Sequence, residues 1–453
     1  MAKRRFFKLS TTGLILFSFL ITIILGSLLL SLPISSADGK SVAYEDALFT
    51  STTSVCVTGL VTLPTASAWS PFGQAVILLL IQIGGLGIIT VMAMLMIILQ
   101  KRMGLGDRIL LQDAFNLNSL SGIVKFVRKV IKGTLIIEGA GALLYMFVFI
   151  PRFGLRGIWI SVFNSVSAFC NAGMDIFSEN SLCDYATHPL VNFVTCALII
   201  LGGVGFIVWW DVLEALKKFK KQKFKCFRML TLHSKIALSM TAFLLALGTL
   251  LFFILEYNNP LTIGNKSLPD KLQLSFFQSV TTRTAGFFTI PQNNFTDASA
   301  LVSLLLMFIG GSPVGTAGGI KTVTVAVLLA TAKSAVKNKN EINLFGRTLS
   351  KQAVGKAVGV VCMSFITAFV STLMLLAVSG AGILDAMYES VSATATVGLS
   401  RNLTPMLDLW GKLIIIVTMY FGRVGPISFA ILLRLKNKNE NLVKNPVEDV
   451  SIG

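Results

Sequence analysis

The chain has 453 residues, 54% of them hydrophobic and only 13% charged, with a mean hydropathy of +0.77; an ordinary soluble domain carries roughly 25% charged residues. That composition excludes a soluble globular protein. The net charge of +18 raises nucleic acid as a partner, but five segments (1–10, 100–133, 216–236, 333–356 and 434–453) hold 29 of the 39 basic residues and only 6 of the 21 acidic ones. Basic blocks alternating with near-neutral or acidic stretches along a hydrophobic chain are the positive-inside pattern of a polytopic membrane protein, not a nucleic-acid surface. The same blocks suit contact with anionic membrane lipid.

Lys3-Arg4-Arg5 followed by an apolar run to Leu32 looks like a signal peptide. The run is too long for one and lacks an A-x-A site, so it reads as the first membrane helix. Further apolar runs lie near 73–99, 130–150, 190–213, 236–256, 300–335, 354–378 and 411–433. Eight crossings result, with both termini on the basic, cytoplasmic face of the membrane. Six scattered cysteines, without a CxxC pair, read as small hydrophobes.

Between the members of each pair of runs lies a shorter segment rich in Ser and Thr. The four read FTSTTSVCVTGL (49–60), FNSVSAFCNAGM (163–174), FFQSVTTRTAGF (276–287) and YESVSATATVGL (388–399), and they align without gaps. An aromatic stands ten residues before a glycine in each, and Gly59, Gly173, Gly286 and Gly398 recur at intervals of 112–114 residues. Four units follow: repeat 1 over 1–105, repeat 2 over 106–225, repeat 3 over 226–345, and repeat 4 with a short cytoplasmic tail over 346–453. The expected fold is an all-α polytopic membrane protein, four helix–pore loop–helix repeats around one pseudo-fourfold pore.

Irregular backbone at membrane depth survives only where protein buries it or a wet cavity bathes it. Four amphipathic segments ending in small residues and a glycine therefore predict re-entrant loops around one axis. Each short helix points its negative end at the centre, which attracts a cation, and extended carbonyls beyond it can replace the hydration shell of an alkali ion, with Thr or Ser hydroxyls as extra ligands. Glycine suits a chain that visits positive φ, where other residues lose about 1–2 kcal/mol.

A second glycine cluster recurs in each following helix: IGGLG (83–87), LGGVG (201–205), IGGSPVGTAGG (309–319) and FGRVG (421–425). In repeats 1 and 2 it reads as close helix packing. In repeat 3 the glycines and Pro313 predict a broken helix, since Pro alone costs about 3 kcal/mol in a helix interior. The stretch mimics a P-loop, but Ile320 separates Gly319 from Lys321 and no strand precedes it, so nucleotide binding by this chain is not expected.

These units resemble the Trk/Ktr/HKT superfamily of potassium transporters, and within it the bacterial KtrB-type membrane subunits, over essentially the whole chain. The resemblance implies a K+-translocating protein with one glycine kept per loop. Carried onto this sequence, the ion ligands are the carbonyls of Val57 and Thr58, Asn171 and Ala172, Thr284 and Ala285, and Thr396 and Val397, together with Gly59, Gly173, Gly286 and Gly398. It also implies that the Gly310–Gly319 stretch, with Gly311, Ser312, Pro313, Gly315, Thr316 and Gly318, is an intramembrane gate beneath the filter. Arg423 matches the position of Gly85 and resembles the family's arginine that forms an electrostatic barrier beside that gate. Partners implied are a second copy of the chain in a homodimer and a cytosolic ring of nucleotide-binding KtrA-like subunits docking on the basic segments.

Three cations at membrane depth, Arg283, Lys321 and Arg423, are functional candidates because each costs about 2.5–3.5 kcal/mol there unless paired or hydrated. Arg283 is expected to brace the filter by pairing with Glu389; Lys321 either serves the gate or snorkels. Glu138 is expected to make a structural hydrogen bond. No Ser/His/Asp constellation points to an enzyme. A Na+-coupled K+ symporter, also built from broken helices, is the competing transport reading.

Overall fold

The computed structural model describes residues 11–99, 104–114, 122–222, 228–339 and 341–425. The basic segments 1–10 and 434–453, the latter within the expected cytoplasmic tail, and the end of the last expected crossing lie outside them. Among the described residues four helices are long and apolar enough to cross a bilayer: α1 (Thr11–Leu30), α7 (Ile123–Phe153), α11 (Leu232–Glu256) and α15 (Lys351–Ser379). Each leads into a short, largely buried helix: α2 (Tyr44–Cys56), α8 (Arg156–Cys170), α12 (Leu268–Thr281) and α16 (Ile383–Ala395). None of these four could span the hydrocarbon, since a helix rises only about 1.5 Å per residue.

A second apolar element follows each short helix. In repeat 1 it is α4 (Pro71–Leu86) with α5 (Ile88–Ile98), bent by 98°; in repeat 2 it is α9 (Pro189–Val204) with α10 (Phe206–Gln222), bent by 100°. Each was expected as one crossing; the structure bends both sharply. The bends fall at Gly87 and Gly205, whose φ of +84° and +99° end the helix. In repeat 3, α13 (Asp297–Phe308) and α14 (Thr322–Val336) are separated by the irregular segment 309–321; in repeat 4, α17 (Leu409–Val424) runs to the edge of the described residues. The turn α3 (Thr65–Ala68), the helix α6 (Leu105–Ala114) and a hairpin of β1 (Asn343–Leu344) and β2 (Arg347–Thr348) connect these elements.

The repeats close on themselves. Each second element packs against the short helix of the next repeat: α4 on α8, α9 on α12, α13 on α16, and α17 back on α2. Lys412 ties the last junction to the first repeat with a 2.6 Å ion pair to Asp46. Small residues bring α4, α9 and α17 equally close to the short helix of their own repeat: a Cβ on Gly84, Gly202 or Gly422 would collide with the carbonyl of Val55, Phe169 or Thr394, each four residues before a repeat glycine. On the opposite side, Ser51, Ser165 and Ser279 donate to the carbonyls of Ile23, Glu138 and Leu245 on α1, α7 and α11, at 2.6–2.9 Å.

Repeat 3 slips by one residue. The buried aromatic of its short helix is Phe277, not the aligned Phe276, which is 38% exposed, and the bonding serine is one residue nearer the glycine than in repeats 1 and 2. The gapless alignment therefore holds around the glycines but not along α12.

Overpacking of a tight core contact costs about 1–3 kcal/mol. Gly422→Val should lower the Tm of the detergent-purified protein accordingly. Gly139→Ala, on an open face of α7, should leave it unchanged.

Candidate functional site

The four repeat glycines meet. A Cβ built on Gly59 would lie 2.5 Å from the carbonyl oxygen of Ala172, one on Gly173 2.6 Å from that of Ala285, and one on Gly286 2.7 Å from that of Val397; one on Gly398 would press on that of Thr58. Each glycine thus abuts the carbonyl preceding the glycine of the next repeat, and the fourth returns to the first. All four glycines have positive φ, between +65° and +98°, as do Val57, Asn171, Thr284 and Thr396, each two residues earlier. Three of these earlier residues are β-branched, for which the left-handed region is a genuine outlier. Strain of this kind concentrates at functional sites.

The ring separates two cavities. On one side Gly59, Gly173, Gly286 and Gly398 floor a vestibule of about 400 Å³, into which Asp175 and Glu179 also open. On the other lies a cavity of about 500 Å³ lined by Gly84–Thr90, Val314, Gly315, Ala317–Gly319, Thr394, Lys321 and Arg423. The hydroxyls of Thr58, Thr284 and Thr396 are buried without a protein partner, so oxygen ligands remain free along the ring.

Segment 309–321 crosses beneath the ring, pinned mainly to repeat 2. Ser312 N donates to Gly203 O at 2.8 Å, Thr316 N to Gly202 O at 3.1 Å, and Phe206 N to Val314 O at 2.8 Å. The Thr316 hydroxyl donates to Phe169 O at 3.0 Å and lies 3.1 Å from Asn171 Oδ1. Its two ends meet where Gly310 N donates to Ile320 O at 3.0 Å, and Ser312 Oγ lies 3.0 Å from Thr322 Oγ1. Arg423 fastens the segment from the other side, Nη1 donating to Thr316 O at 2.7 Å and Nη2 to Gly84 O at 2.5 Å.

The TrkH family, described as "Cation transport protein", matches residues 6–445. The chain belongs to this family. It is 41% identical to the potassium/sodium uptake protein NtpJ of Enterococcus hirae, over 100% of this chain and 99% of that one. It is 40% identical to the Ktr system potassium uptake protein B of Bacillus subtilis, covering 91% and 90%. The crystal structure of the potassium transporter TrkH from Vibrio parahaemolyticus shares the fold, with a TM-score of 0.73 at 19% identity, over 95% of this chain and 86% of that one. A TrkH-family protein is a multi-pass membrane transporter, not an enzyme.

Within this TrkH-family chain, sequence reasoning missed the residues that hold the ring in shape. Thr53 Oγ1 accepts from Gly59 N at 2.9 Å, Ser167 Oγ from Met174 N at 3.1 Å, and Ser392 Oγ from Gly398 N at 3.0 Å. All three stand six residues before their glycine; in the slipped third repeat Thr281 takes this place, its hydroxyl donating to Phe287 O. These hydroxyls brace the backbone, whereas the sequence suggested hydroxyls only as ion ligands. The signal was a Ser or Thr at one register in three repeats.

The expected pairing of Arg283 with Glu389 does not form. Arg283 donates to the carbonyls of Thr241 at 3.3 Å and Gly310 at 3.4 Å, and its own carbonyl accepts from Asn171 Nδ2 at 3.5 Å. Glu389 accepts from Thr404 N at 3.2 Å, from the Thr404 hydroxyl at 2.8 Å and from the Ser400 hydroxyl. Carbonyl oxygens partner the two terminal nitrogens of the buried guanidinium, whose Nε has no hydrogen-bond partner, and hydroxyls and an amide satisfy the carboxylate. Lys321 does not snorkel: its Nζ donates to Ala317 O at 2.6 Å inside the lower cavity. Glu138 accepts from Gln82 Nε2 at 3.3 Å, and the Cys170 thiol lies 3.9 Å away.

Hydrogen bonds to a charged donor are worth about 1.5–3 kcal/mol each. Arg423→Gln, which removes both ties across the segment, should raise cation flux in proteoliposomes roughly tenfold or more. Lys321→Gln, which removes one bond within the segment, should raise it less.

Proposed function

We propose that this chain is the ion-translocating subunit of a bacterial potassium uptake system. K+ enters from the vestibule, loses its hydration shell to carbonyls of the four-glycine ring, and is held back by the 309–321 segment and Arg423 until that segment moves. The ring carries this reading: four backbone oxygens from four repeats, each set against the preceding repeat's glycine, supply the carbonyl cage that an alkali ion requires. The relatives named for potassium uptake support K+ as the cargo, and the name potassium/sodium uptake protein makes Na+ the second ion to test. The reading adopts the repeat boundaries near 105, 225 and 345. It puts the basic segments in the cytoplasm, where a homodimer would dock a nucleotide-binding ring. A relative named as part of a Ktr system fits such a multi-component assembly.

The decisive measurement is K+, Rb+ and Na+ flux with the purified protein in liposomes and uptake in a host lacking its own K+ uptake. K+ uptake should appear with the wild-type chain. Gly398→Ser, which thrusts a side chain onto Thr58 O, should keep transport while reducing K+ preference over Na+ at least tenfold, about 1.4 kcal/mol. Thr53→Val, which removes a brace without crowding the ring, should erode selectivity less. Absence of K+ flux in both assays overturns the reading.

A second outcome concerns pH. Burial pushes the Asp175 carboxyl in the vestibule up to about 7, against the opposing pull of hydrogen bonds from Ser181 and the Ser178 backbone. The carboxylate is therefore ionised above that pH and neutral below it. Lowering external pH from about 8 to about 6 removes one negative charge from the mouth and should raise the apparent KM for K+, by about fivefold at most. Asp175→Asn should start from the higher KM and lose the pH dependence.

A further inference from the structure

A cavity of about 490 Å³ opens between α11, the end of α14 and the β1–β2 hairpin, away from the ring and both of its cavities. Its lining joins two chemistries. Lys333, Lys337 and Lys339 rim it, while Ile236, Met240 and Leu329 floor it. The two ion pairs among the described residues are Lys412–Asp46 and Arg401–Asp385, so none of these lysines is held by a carboxylate there. Glu341 is the single acid in the lining, which leaves the mouth with a formal charge of +2. The turn carrying Lys337 and Lys339 is folded back by Ser334, whose hydroxyl donates to the carbonyls of Lys339 and Glu341 at 3.1 and 2.9 Å. Apolar surface is laid open beside the lysines: Leu329 and Phe345 are each 58% exposed and Val336 is 87% exposed.

A soluble acidic partner would match the lysines but not the floor, which continues the lipid-facing side of α14. A molecule with one anionic end and a hydrocarbon body matches both. We propose that this cavity binds an anionic glycerophospholipid, its phosphate among Lys333, Lys337 and Lys339 and an acyl chain over Ile236, Met240 and Leu329. The basic face sets the headgroup at the level of the lysines, and their flexible stems reach a phosphate without fixed geometry. Because α14 issues directly from segment 309–321 at Thr322, an occupied cavity anchors the far end of the helix that begins at the gate. This last consequence rests on the gate reading; the binding site does not.

The test uses the full-length protein and two separate readouts. Native mass spectrometry with phosphatidylglycerol and phosphatidylcholine reads binding, and Rb+ flux in vesicles of each lipid reads the consequence. Wild type should retain phosphatidylglycerol selectively, with affinity falling about fivefold for each lysine changed to Gln. Met240→Trp, which fills the floor and leaves the lysines intact, should also lose the lipid while keeping its Tm in phosphatidylcholine. Equal retention of both lipids by wild type, or unchanged phosphatidylglycerol binding in K333Q/K337Q/K339Q, overturns the site. So does competition by glycerol phosphate as strong as that of the lipid, which would show a free-phosphate site. If binding is lost in the variants while Rb+ flux stays equal in the two vesicle types, the link through α14 to the gate is overturned.

Discussion

A main chain that abandons helical geometry inside a bilayer must satisfy its own amides and carbonyls from neighbouring protein, because hydrocarbon offers nothing. The four loops meet that constraint in one way. In repeats 1, 2 and 4 the amide just before the repeat glycine bonds back to the carbonyl five residues earlier, at 2.8–2.9 Å, and the residue supplying that carbonyl lends its hydroxyl to the next turn of chain. This is the bonding of a Schellman helix end, but with Val57, Asn171 or Thr396 in the left-handed position where glycine is usual. Each costs about 1–2 kcal/mol. The surrounding packing holds them there: Gly84, Gly202 and Gly422 bring the next helix against the same turn, and any side chain there would push the ring apart.

Much of this was legible in the sequence because the ring is repeated. Gly59, Gly173, Gly286 and Gly398 stand at near-equal intervals, and a fourfold pattern survives noise that would hide a single Thr-x-Gly. The break in repeat 3 was legible too, since Pro313 among glycines is incompatible with a helix interior. What remained hidden is explained by the same chemistry. The slip in α12 was masked by adjacent aromatics, Phe276 and Phe277, either of which completes the motif. The sharp bends at Gly87 and Gly205 were masked because the sequence is equally apolar on both sides of each glycine. Arg283 and Glu389 were matched by charge, yet their actual partners are mostly carbonyls, hydroxyls and an amide, which any sequence contains in abundance.

Symmetry ends at the ring. Above it the four repeats contribute alike; below it, one repeat supplies the irregular segment, a different repeat anchors it, and a third supplies Arg423. A cation leaving the ring meets an even cage of oxygen on one side and a one-sided positive charge on the other. On the function proposed above, selectivity and gating are separable: the first rests on a ring that all four repeats close, the second on contacts each made once, among them Thr316 with Phe169 and Arg423 with Gly84.

The closure of α17 onto α2, fastened by Lys412 and Asp46, has a consequence for biogenesis. A ribosome delivers the repeats in order, so the first loop enters the membrane with its partner carbonyl present but the glycine that covers it, Gly398, still some 340 residues away in the chain. Until the final helices are synthesised, the polar turn at Val57–Gly59 faces an unfilled seam. The nascent chain must shelter that seam with its own earlier helices, with water or with the insertion machinery, until the fourth repeat arrives to close the ring.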